Sequence, residues 1–382
     1  MPKARYVRGK DGYFSTKRWD GTYTDAGKRH MVNLRTKQSS AALERIVQEF
    51  EEQIKTQGVI LPSSLDFFDY AQHWVQIYKA SREKATIEMY ENVIKKHFQC
   101  FKGIMPADLQ RYQIQELINN NAKHPRLCQK IMLSFNQVVK SAVVDQLIGE
   151  KDAKQITADI TLPQYFPKER RVMYQKEVSA LSKAKFTTEQ RAFVYILYGC
   201  GLRREEVLAL TPFNFKLAEG ILYVREAVGY YHGAPYIKVP KSRAGGRSVP
   251  IPGYVKTAVI EYMSERSGDS PYLFCMKTGL SDKSPKGGLL TADCYKVFWD
   301  KIREQINYAM GGTKQISLCP DLTAHIFRHT YCTNLCYQIP KISPKKIAQL
   351  MGDTEKMVNE VYSHIVENKE NTEDAISLAT AL

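Results

Sequence analysis

The residues best able to do chemistry in this 382-residue chain begin with Arg203 and Glu206, in the segment Gly201-Leu202-Arg203-Arg204-Glu205-Glu206. The glycine ends one predicted helix, so Arg203 lies in the first turn of the next, where the helix dipole does not stabilise a cation. Glu206 follows three residues later and can hold the guanidinium in one direction. A held arginine suits the binding of a phosphate group, although the pair also fits an ordinary surface salt bridge.

A second motif, His325-Ile326-Phe327-Arg328-His329, combines an imidazole with a permanent cation. His325 and Arg328 are three residues apart, so on a helix they share one face. The cation can stabilise charge on the nonbridging oxygens of a phosphate, while the imidazole moves or orients a proton. The motif therefore predicts a phosphoryl-transfer site, with His329 as a supporting residue.

The same stretch suggests a zinc site, because His325, His329, Cys332 and Cys336 are all potential ligands. On one straight helix, however, these residues spread along about 16 Å at 1.5 Å per residue. Zinc ligands must converge at about 2.0–2.3 Å from a single ion. We therefore expect no metal here and expect Cys332 and Cys336 to be core residues. The eight cysteines form no CxxC pair, which predicts free thiols.

A basic segment that contains Lys241 lies between two predicted strands, Tyr236 to Val239 and Ser248 to Ile251. Its glycines and charges predict the tip of a β-hairpin, which could lay Lys241 in a DNA groove. Arg243 and Arg247 are then further candidate DNA contacts. A flexible charged hairpin without a function is the alternative.

Further along the chain, Ser343-Pro344 is the expected start of a short helix, with serine as the cap and proline in the first turn. That helix ends at Met351-Gly352-Asp353, and Tyr362 follows nine residues after Asp353.

The overall composition predicts a polyanionic partner. Lysine and arginine outnumber aspartate and glutamate by 55 to 40, a net charge of +15, which favours nucleic acid first and an acidic membrane surface second. The chain has no apolar run of about 18 residues, and its N-terminus lacks the apolar core of a signal peptide. We therefore expect a cytoplasmic protein without a membrane partner.

The pattern along the chain predicts a multidomain, mainly α-helical protein with small β elements. Residues 1–60 predict a three-stranded sheet plus a helix, residues 65–155 predict a helical bundle, and residues 170–382 predict a mixed α+β domain after a proline-containing connector at 151–172. Basic and aromatic residues crowd the first module, which suits a DNA groove, although a solvated charged hairpin is a serious alternative. The candidate DNA contacts are Arg18, Trp19, Tyr23, Lys28 and Arg29 in the first module and Arg82 and Lys84 in the bundle.

Taken in order, Arg203 with Glu206, Lys241, His325 with Arg328, and Tyr362 resemble the catalytic residues of the tyrosine recombinases, in particular the phage and conjugative-transposon integrases. The resemblance covers nearly the whole chain. It implies an arm-type DNA-binding domain at 1–60, a SAM-like core-binding domain at 65–155 and a catalytic domain at 170–382, whose tail docks on a neighbouring protomer. One position departs from the family pattern.

The departure is Asp353, which stands where the family usually has histidine or tryptophan. An aspartate there adds negative charge near the phosphate unless it is protonated or points away.

The resemblance also implies a mechanism without metal, ATP or any other cofactor. Tyr362 attacks the scissile phosphorus and forms a 3′-phosphotyrosine, while Lys241 protonates the leaving 5′ oxygen. Arg203 and Arg328 hold the nonbridging oxygens, and His325 assists proton transfer. The implied partners are double-stranded DNA at core and arm sites, a homo-tetramer on synapsed DNA, and an excisionase or a host DNA-bending factor.

Two other functions remain open at this point. A type IB topoisomerase uses similar chemistry, and a non-catalytic DNA-binding regulator could keep the fold. The first would relax supercoiled DNA without needing two specific sites, and the second would form no covalent adduct.

Overall fold

The computed structural model describes residues 5–23, 29–57, 65–166, 171–239, 246–266, 268, 270–279 and 285–367, with the backbone alone at 20–23, 53–57 and 364–367. The chain forms two compact units, Met1–Pro167 and Lys168–Leu382. The boundary between the units lies inside the predicted connector. The finer division of the first unit into domains at 1–60 and 65–155 stays a prediction.

The first unit begins with an antiparallel pair of strands, β1 (Phe14–Tyr23) and β2 (Arg29–Thr36), followed by helix α1 (Ser40–Gln57). Leu43 and Val47 of α1 are buried. Three strands were predicted, but within the described residues Arg8 contributes only a single bridge to Phe14. Beyond that bridge the Tyr6 backbone N–H donates to the hydroxyl of Ser40, at the start of α1, at 3.0 Å, so its hydrogen bond is not available to a strand ladder.

Five α-helices and two short 3-10 helices, Phe98–Phe101 and Pro106–Asp108, follow in the described first unit, and the number of α-helices agrees with the predicted four to five. The α-helices are α2 (Phe67–Tyr78), α3 (Lys84–His97), α4 (Arg111–Asn120), α5 (Pro125–Val144) and α6 (Glu150–Thr157). Their core is aromatic, with Phe67, Phe98 and Phe135 fully buried. Trp74 is buried too, and its indole N–H donates to Ser141 Oγ at 2.7 Å, so burial leaves no polar group unsatisfied there.

Helices flank two small sheets in the second unit. The helices are α7 (Gln175–Lys183), α8 (Thr188–Cys200), α9 (Arg204–Leu208), α10 (Gly253–Glu265), α11 (Ala292–Ala309), α12 (Ala324–Cys336), α13 (Pro344–Met351) and α14 (Glu355–Glu367). The strands are β3 (Phe215–Lys216), β4 (Ile221–Val224), β5 (Ala227–Tyr231), β6 (Ala234–Lys238) and β7 (Arg247–Pro250).

The strand pairing corrects the predicted hairpin around Lys241. One sheet has the order β3-β4-β7, and the other consists of β5 and β6. The strands that flank Lys241 therefore pair with other partners and not with each other. His232 and Gly233, with φ of 47° and 79°, form a turn that folds β6 back onto β5. Lys241 and Arg243 lie outside the described residues, in the connection between the two sheets.

Two hydrophobic clusters stabilise the second unit. The larger one includes Phe193, Phe274 and Phe327. A smaller one joins α12, α13 and α14 and contains Cys332 and Cys336, which are 5% and 1% exposed. The prediction that these two cysteines are core residues is confirmed, and both are free thiols. Among the described residues, no helix is both long and apolar enough to cross a bilayer.

Candidate active site

Arg203 is placed by a sharp corner between α8 and α9. Gly201 ends α8 in the left-handed conformation, with φ of 63°, and Arg203 caps α9. A Cβ on Gly201 would lie 2.2 Å from the ring of Tyr331, so both the backbone conformation and the close packing require glycine. At this corner Leu202 is fully buried, whereas the neighbouring Arg203 side chain is 36% exposed.

Glu206 holds Arg203 as predicted. Its carboxylate accepts from the Arg203 backbone N–H at 2.8 Å and from Nη1 at 3.1 Å. Glu206 is 5% exposed. Burial alone would raise the pKa of Glu206, but hydrogen bonds and charge from Arg247, with the charge of Arg328, outweigh it and lower the pKa below its ordinary value. The carboxylate is therefore ionised when it orients Arg203.

Arg247 is not the exposed DNA contact that its sequence position suggested. Its side chain is 5% exposed and donates to both oxygens of Glu206, at 3.0 and 2.8 Å. Its Nε also donates to the carbonyl of Leu350 at 2.8 Å. Arg247 begins β7 and points into the protein, so it fixes Glu206 and joins the sheet to α13.

Arg328 is nearly enclosed, with a side chain that is 3% exposed. Nη1 donates to the carbonyl of Gly201 at 2.8 Å, and Nη2 donates to the carbonyl of Met351 at 2.6 Å. Burial, with repulsion from Arg203, lowers the pKa of Arg328 to about 10, which still leaves it charged at neutral pH. These bonds connect α12 to the end of α8 and to α13.

Asp353 lies between the two arginines. Its Oδ2 accepts from Arg203 Nη2 at 2.9 Å and from Arg328 Nη2 at 3.0 Å. The possibility that Asp353 points away from the site is therefore wrong. Gly352, with φ of 61°, ends α13 and turns the chain so that Asp353 faces the site.

His325 shares a cavity of about 490 Å³ with Arg203. The same cavity is lined by Arg204, whose guanidinium lies 4.9 Å from the ring centroid of Tyr295. The rings of His325 and His329 meet edge to face, with centroids 4.4 Å apart. An arginine and an imidazole thus open on one space, as phosphoryl transfer requires.

Tyr362 lies on α14 and is half-buried. It packs against the smaller cluster, which includes Cys332, Ile347 and Met351. In the part of the chain that the structure describes, no hydrogen bond joins Tyr362 to Arg203 or Arg328. The structure therefore brings Arg203, Arg328, Glu206 and Asp353 together and places His325 on the same cavity as Arg203. Tyr362 lies on α14, which packs against α12 and α13.

The candidate DNA contacts of the first unit fall into two groups. Arg18 donates to Glu51 at 3.0 Å and to the Tyr6 hydroxyl at 3.0 Å, so its guanidinium faces α1. Arg29 instead lies over the Trp19 ring, 4.9 Å from the centroid. The Tyr23 side chain and Lys28 lie outside the described residues.

A second cation–aromatic cluster was missed among the site residues predicted from the sequence. The Arg35 guanidinium and the Lys37 ammonium lie 5.0 and 4.9 Å from the Tyr13 ring centroid. The signal was available, because Tyr13 immediately precedes β1 and both Arg35 and Lys37 lie in or next to β2, which pairs with β1. In the bundle, Arg82 is exposed in the connection between α2 and α3, and Lys84 is exposed at the first position of α3.

Comparison with known proteins finds similarity in both units. A sequence model described as "Phage integrase family" matches residues 171–369, just over half of the chain. The tyrosine recombinase XerA of Pyrococcus furiosus is 26% identical over 54% of this chain and 58% of its own length. The transposase from transposon Tn916 of Enterococcus faecalis is 22% identical over 91% of this chain and 84% of its own length. The chain thus spans about three fifths of the Xer recombinase but most of the transposase.

Solved structures share the fold. The Tn1549 transposon integrase in complex with transposon right end DNA has a TM-score of 0.63 at 19% identity, over 78% of this chain and 95% of that one. A lambda integrase tetramer bound to a Holliday junction has a TM-score of 0.55 at 13% identity, over 94% and 95%. At these identities the likeness concerns the fold alone.

Proposed function

Because the chain belongs to the phage integrase family, we propose that it is a site-specific recombinase that integrates and excises a mobile element. The observation that carries this proposal is the convergence of Arg203 and Arg328, which are far apart in the sequence, on one carboxylate oxygen, with His325 on the same cavity as Arg203. The match to the Tn916 transposase over most of the chain supports an element of the conjugative-transposon type.

In the proposed reaction the Tyr362 hydroxyl gives its proton to a base, a transfer that His325 is proposed to assist, and the Tyr362 oxygen attacks the scissile phosphorus. The 3′ phosphate becomes joined to tyrosine, and the 5′ oxygen leaves with a proton from Lys241. A 5′-hydroxyl of the partner strand then attacks the phosphotyrosine, which restores the DNA bond and the tyrosine. No bond energy is lost, so the cycle needs no external energy source. Tyrosine has an ordinary pKa of about 10, so the arginines must stabilise the charge that develops.

The rigidity of the arginines is what suits them to this task. Arg203 is held by Glu206, and Arg328 by two backbone carbonyls, so neither has to be ordered when the phosphate binds. Preorganised donors of this kind stabilise charge in a transition state more effectively than mobile ones. His325 opens on the same cavity and is proposed to assist proton transfer.

Replacement of Tyr362 by phenylalanine tests the nucleophile. We expect Tyr362→Phe to form no covalent adduct with a nicked core site, because the attacking oxygen is gone. The adduct is measured as a slow band on a denaturing gel with end-labelled DNA taken from the junctions of the mobile element. The matched control is Tyr337→Phe, which alters an exposed tyrosine just after α12 and should leave the adduct intact. An adduct with Tyr362→Phe would show that another residue attacks.

A two-site assay separates recombination from the alternatives. A recombinase exchanges flanking DNA between two core sites, whereas a type IB topoisomerase relaxes a plasmid that has none. A DNA-binding regulator does neither. The same proposal includes assembly as a tetramer on double-stranded DNA and binding of arm sites through Trp19 and Arg29. It also includes help from an excisionase or a host DNA-bending factor, and a cytoplasmic location.

A further inference from the structure

The strongest unexplained feature is the aspartate between the two arginines. We propose that the Asp353 carboxylate occupies the position at which Arg203 and Arg328 bind a nonbridging phosphate oxygen, and that it competes with the scissile phosphate for them. This inference rests on the proposed function, because it concerns the same site. It assigns Asp353 a role as a positioning residue that sets how readily the phosphate is engaged.

Asp353 and a phosphate would compete directly because the hydrogens of the arginine Nη2 groups already have acceptors. A terminal nitrogen of arginine carries two hydrogens. In Arg203, Nη1 donates to Glu206 and Gly352, and Nη2 donates to Gly352 and Asp353. In Arg328, Nη2 donates to Met351 and Asp353. A phosphate can therefore reach these Nη2 groups only by replacing an acceptor that is already present.

Of these acceptors, the Asp353 carboxylate is the one that can move away from the arginines. The carbonyls of Met351 and Gly352 belong to the end of α13, where the Asp353 backbone N–H donates to the Ala348 carbonyl at 3.0 Å. That bond closes the cap of the helix and holds the backbone. The Asp353 side chain is 30% exposed, so rotation about its own χ1 can move the carboxylate toward solvent. That rotation breaks the bonds to the two arginines and a long bond of 3.3 Å from the Thr354 backbone N–H, but none of the backbone bonds of α13.

Charge favours the same conclusion. The ion-paired group consists of Arg203, Arg247 and Arg328 with Glu206 and Asp353. It carries one net positive charge with Asp353 in place and two once Asp353 has left. A phosphodiester has one negative charge, and attack by the tyrosine oxygen adds a second. The group therefore matches the transition state best when Asp353 has moved aside.

Titration with inorganic phosphate tests the competition without DNA. We expect Asp353→Asn to bind phosphate at least tenfold more tightly than the unaltered protein in calorimetry at constant ionic strength. Asparagine keeps the shape of the side chain but removes the charge that competes. The matched control is Glu355→Gln, which removes an exposed negative charge two residues away and should leave the affinity unchanged.

Unchanged or weaker phosphate binding by Asp353→Asn would overturn the proposal. A second variant, Asp353→His, keeps the test valid if Asp353→Asn does not fold. It should also bind phosphate more tightly than the unaltered protein. Thermal unfolding of each variant, compared with Glu355→Gln, shows whether the protein used is folded.

The rate of adduct formation on the nicked core site gives an independent readout. At DNA concentrations below saturation, Asp353→Asn and Asp353→His should form the Tyr362 adduct faster than the unaltered protein, with a smaller gain at saturation. A slower rate at every concentration would overturn the proposal, because it would mean that the carboxylate helps the reaction. Phosphate titration does not depend on adduct formation, so the two proposals can fail separately. If Asp353→Asn binds phosphate more tightly but the protein never forms an adduct with DNA, the proposed recombinase function is refuted and the competition between Asp353 and phosphate is supported.

Discussion

At the scale of single residues, the site depends on buried charges that compensate one another. Glu206 and Arg247 are almost inaccessible to water, and removal of Arg247 takes one of two arginine partners from the buried Glu206 carboxylate. Ion pairs of this kind are sensitive to the loss of one partner, whereas pairs at the surface contribute little. Arg247 is therefore proposed to act on the reaction through Glu206 and Arg203, although its side chain faces away from the solvent.

Replacement of Arg247 by methionine should destabilise the protein by about 3 kcal/mol, because Glu206 loses a buried partner. Urea denaturation measures the change in the free energy of unfolding. The control is Lys216→Met, which removes an exposed pair with Glu219 and should cost less than about 1 kcal/mol. Equal stability of the two variants would contradict the structural role given to Arg247.

At the scale of elements, the site is built at helix ends. The corner at Gly201 presents Arg203, and the end of α13 presents Asp353 through Gly352. Arg328 lies within α12 and bonds to the backbone at both places, so it connects the two corners. A shift at either corner therefore alters the distance between the arginines.

Replacement of Gly201 by alanine tests the first corner. We expect Gly201→Ala to lower the free energy of unfolding by about 1–3 kcal/mol more than Gly311→Ala, because only the former adds a methyl group against a packed ring. Both glycines have positive φ, but a Cβ on Gly311 meets nothing within 4 Å, so Gly311→Ala measures the backbone strain alone. Similar losses in the two variants would show that the contact with Tyr331 is not limiting.

At the scale of the whole molecule, the chain combines two compact units and a net charge of +15. That charge supports binding to DNA, and such binding weakens as salt concentration rises because counterions are released. The C-terminal residues 368–382 are proposed to act when several protomers assemble on DNA. Residues 368–382 lie outside the described residues, and their docking on a neighbouring protomer stays a prediction.

Removal of residues 368–382 should reduce recombination between two sites and leave cleavage of a single nicked site intact, because only the former needs contact between protomers. The two assays on core-site DNA measure this difference. As a control, a glycine–serine segment of equal length should not restore recombination. Full recombination by the shortened protein would refute the docking role.

The sequence by itself determined the features that depend on neighbours along the chain. Glu206 lies three residues from Arg203, and His325 three residues from Arg328, so helical geometry alone predicts each pair. The helices of the bundle followed from the pattern along residues 65–155, and the burial of Cys332 and Cys336 followed from the geometry of one straight helix, which cannot bring four zinc ligands together. The family, too, was predicted correctly from the order of these motifs.

Only the tertiary structure decided how distant residues meet. Arg247 bonds to Glu206 across 41 positions, Arg328 to Gly201 across 127, and Arg203 to Asp353 across 150. Whether a charge faces solvent or another charge depends on which elements pack together, and no local pattern encodes that. For the same reason the pairing of β6 with β5 overruled the expected hairpin. The insertion of Asp353 between the two arginines is a product of three helix ends meeting, and it changes the chemistry expected of the site.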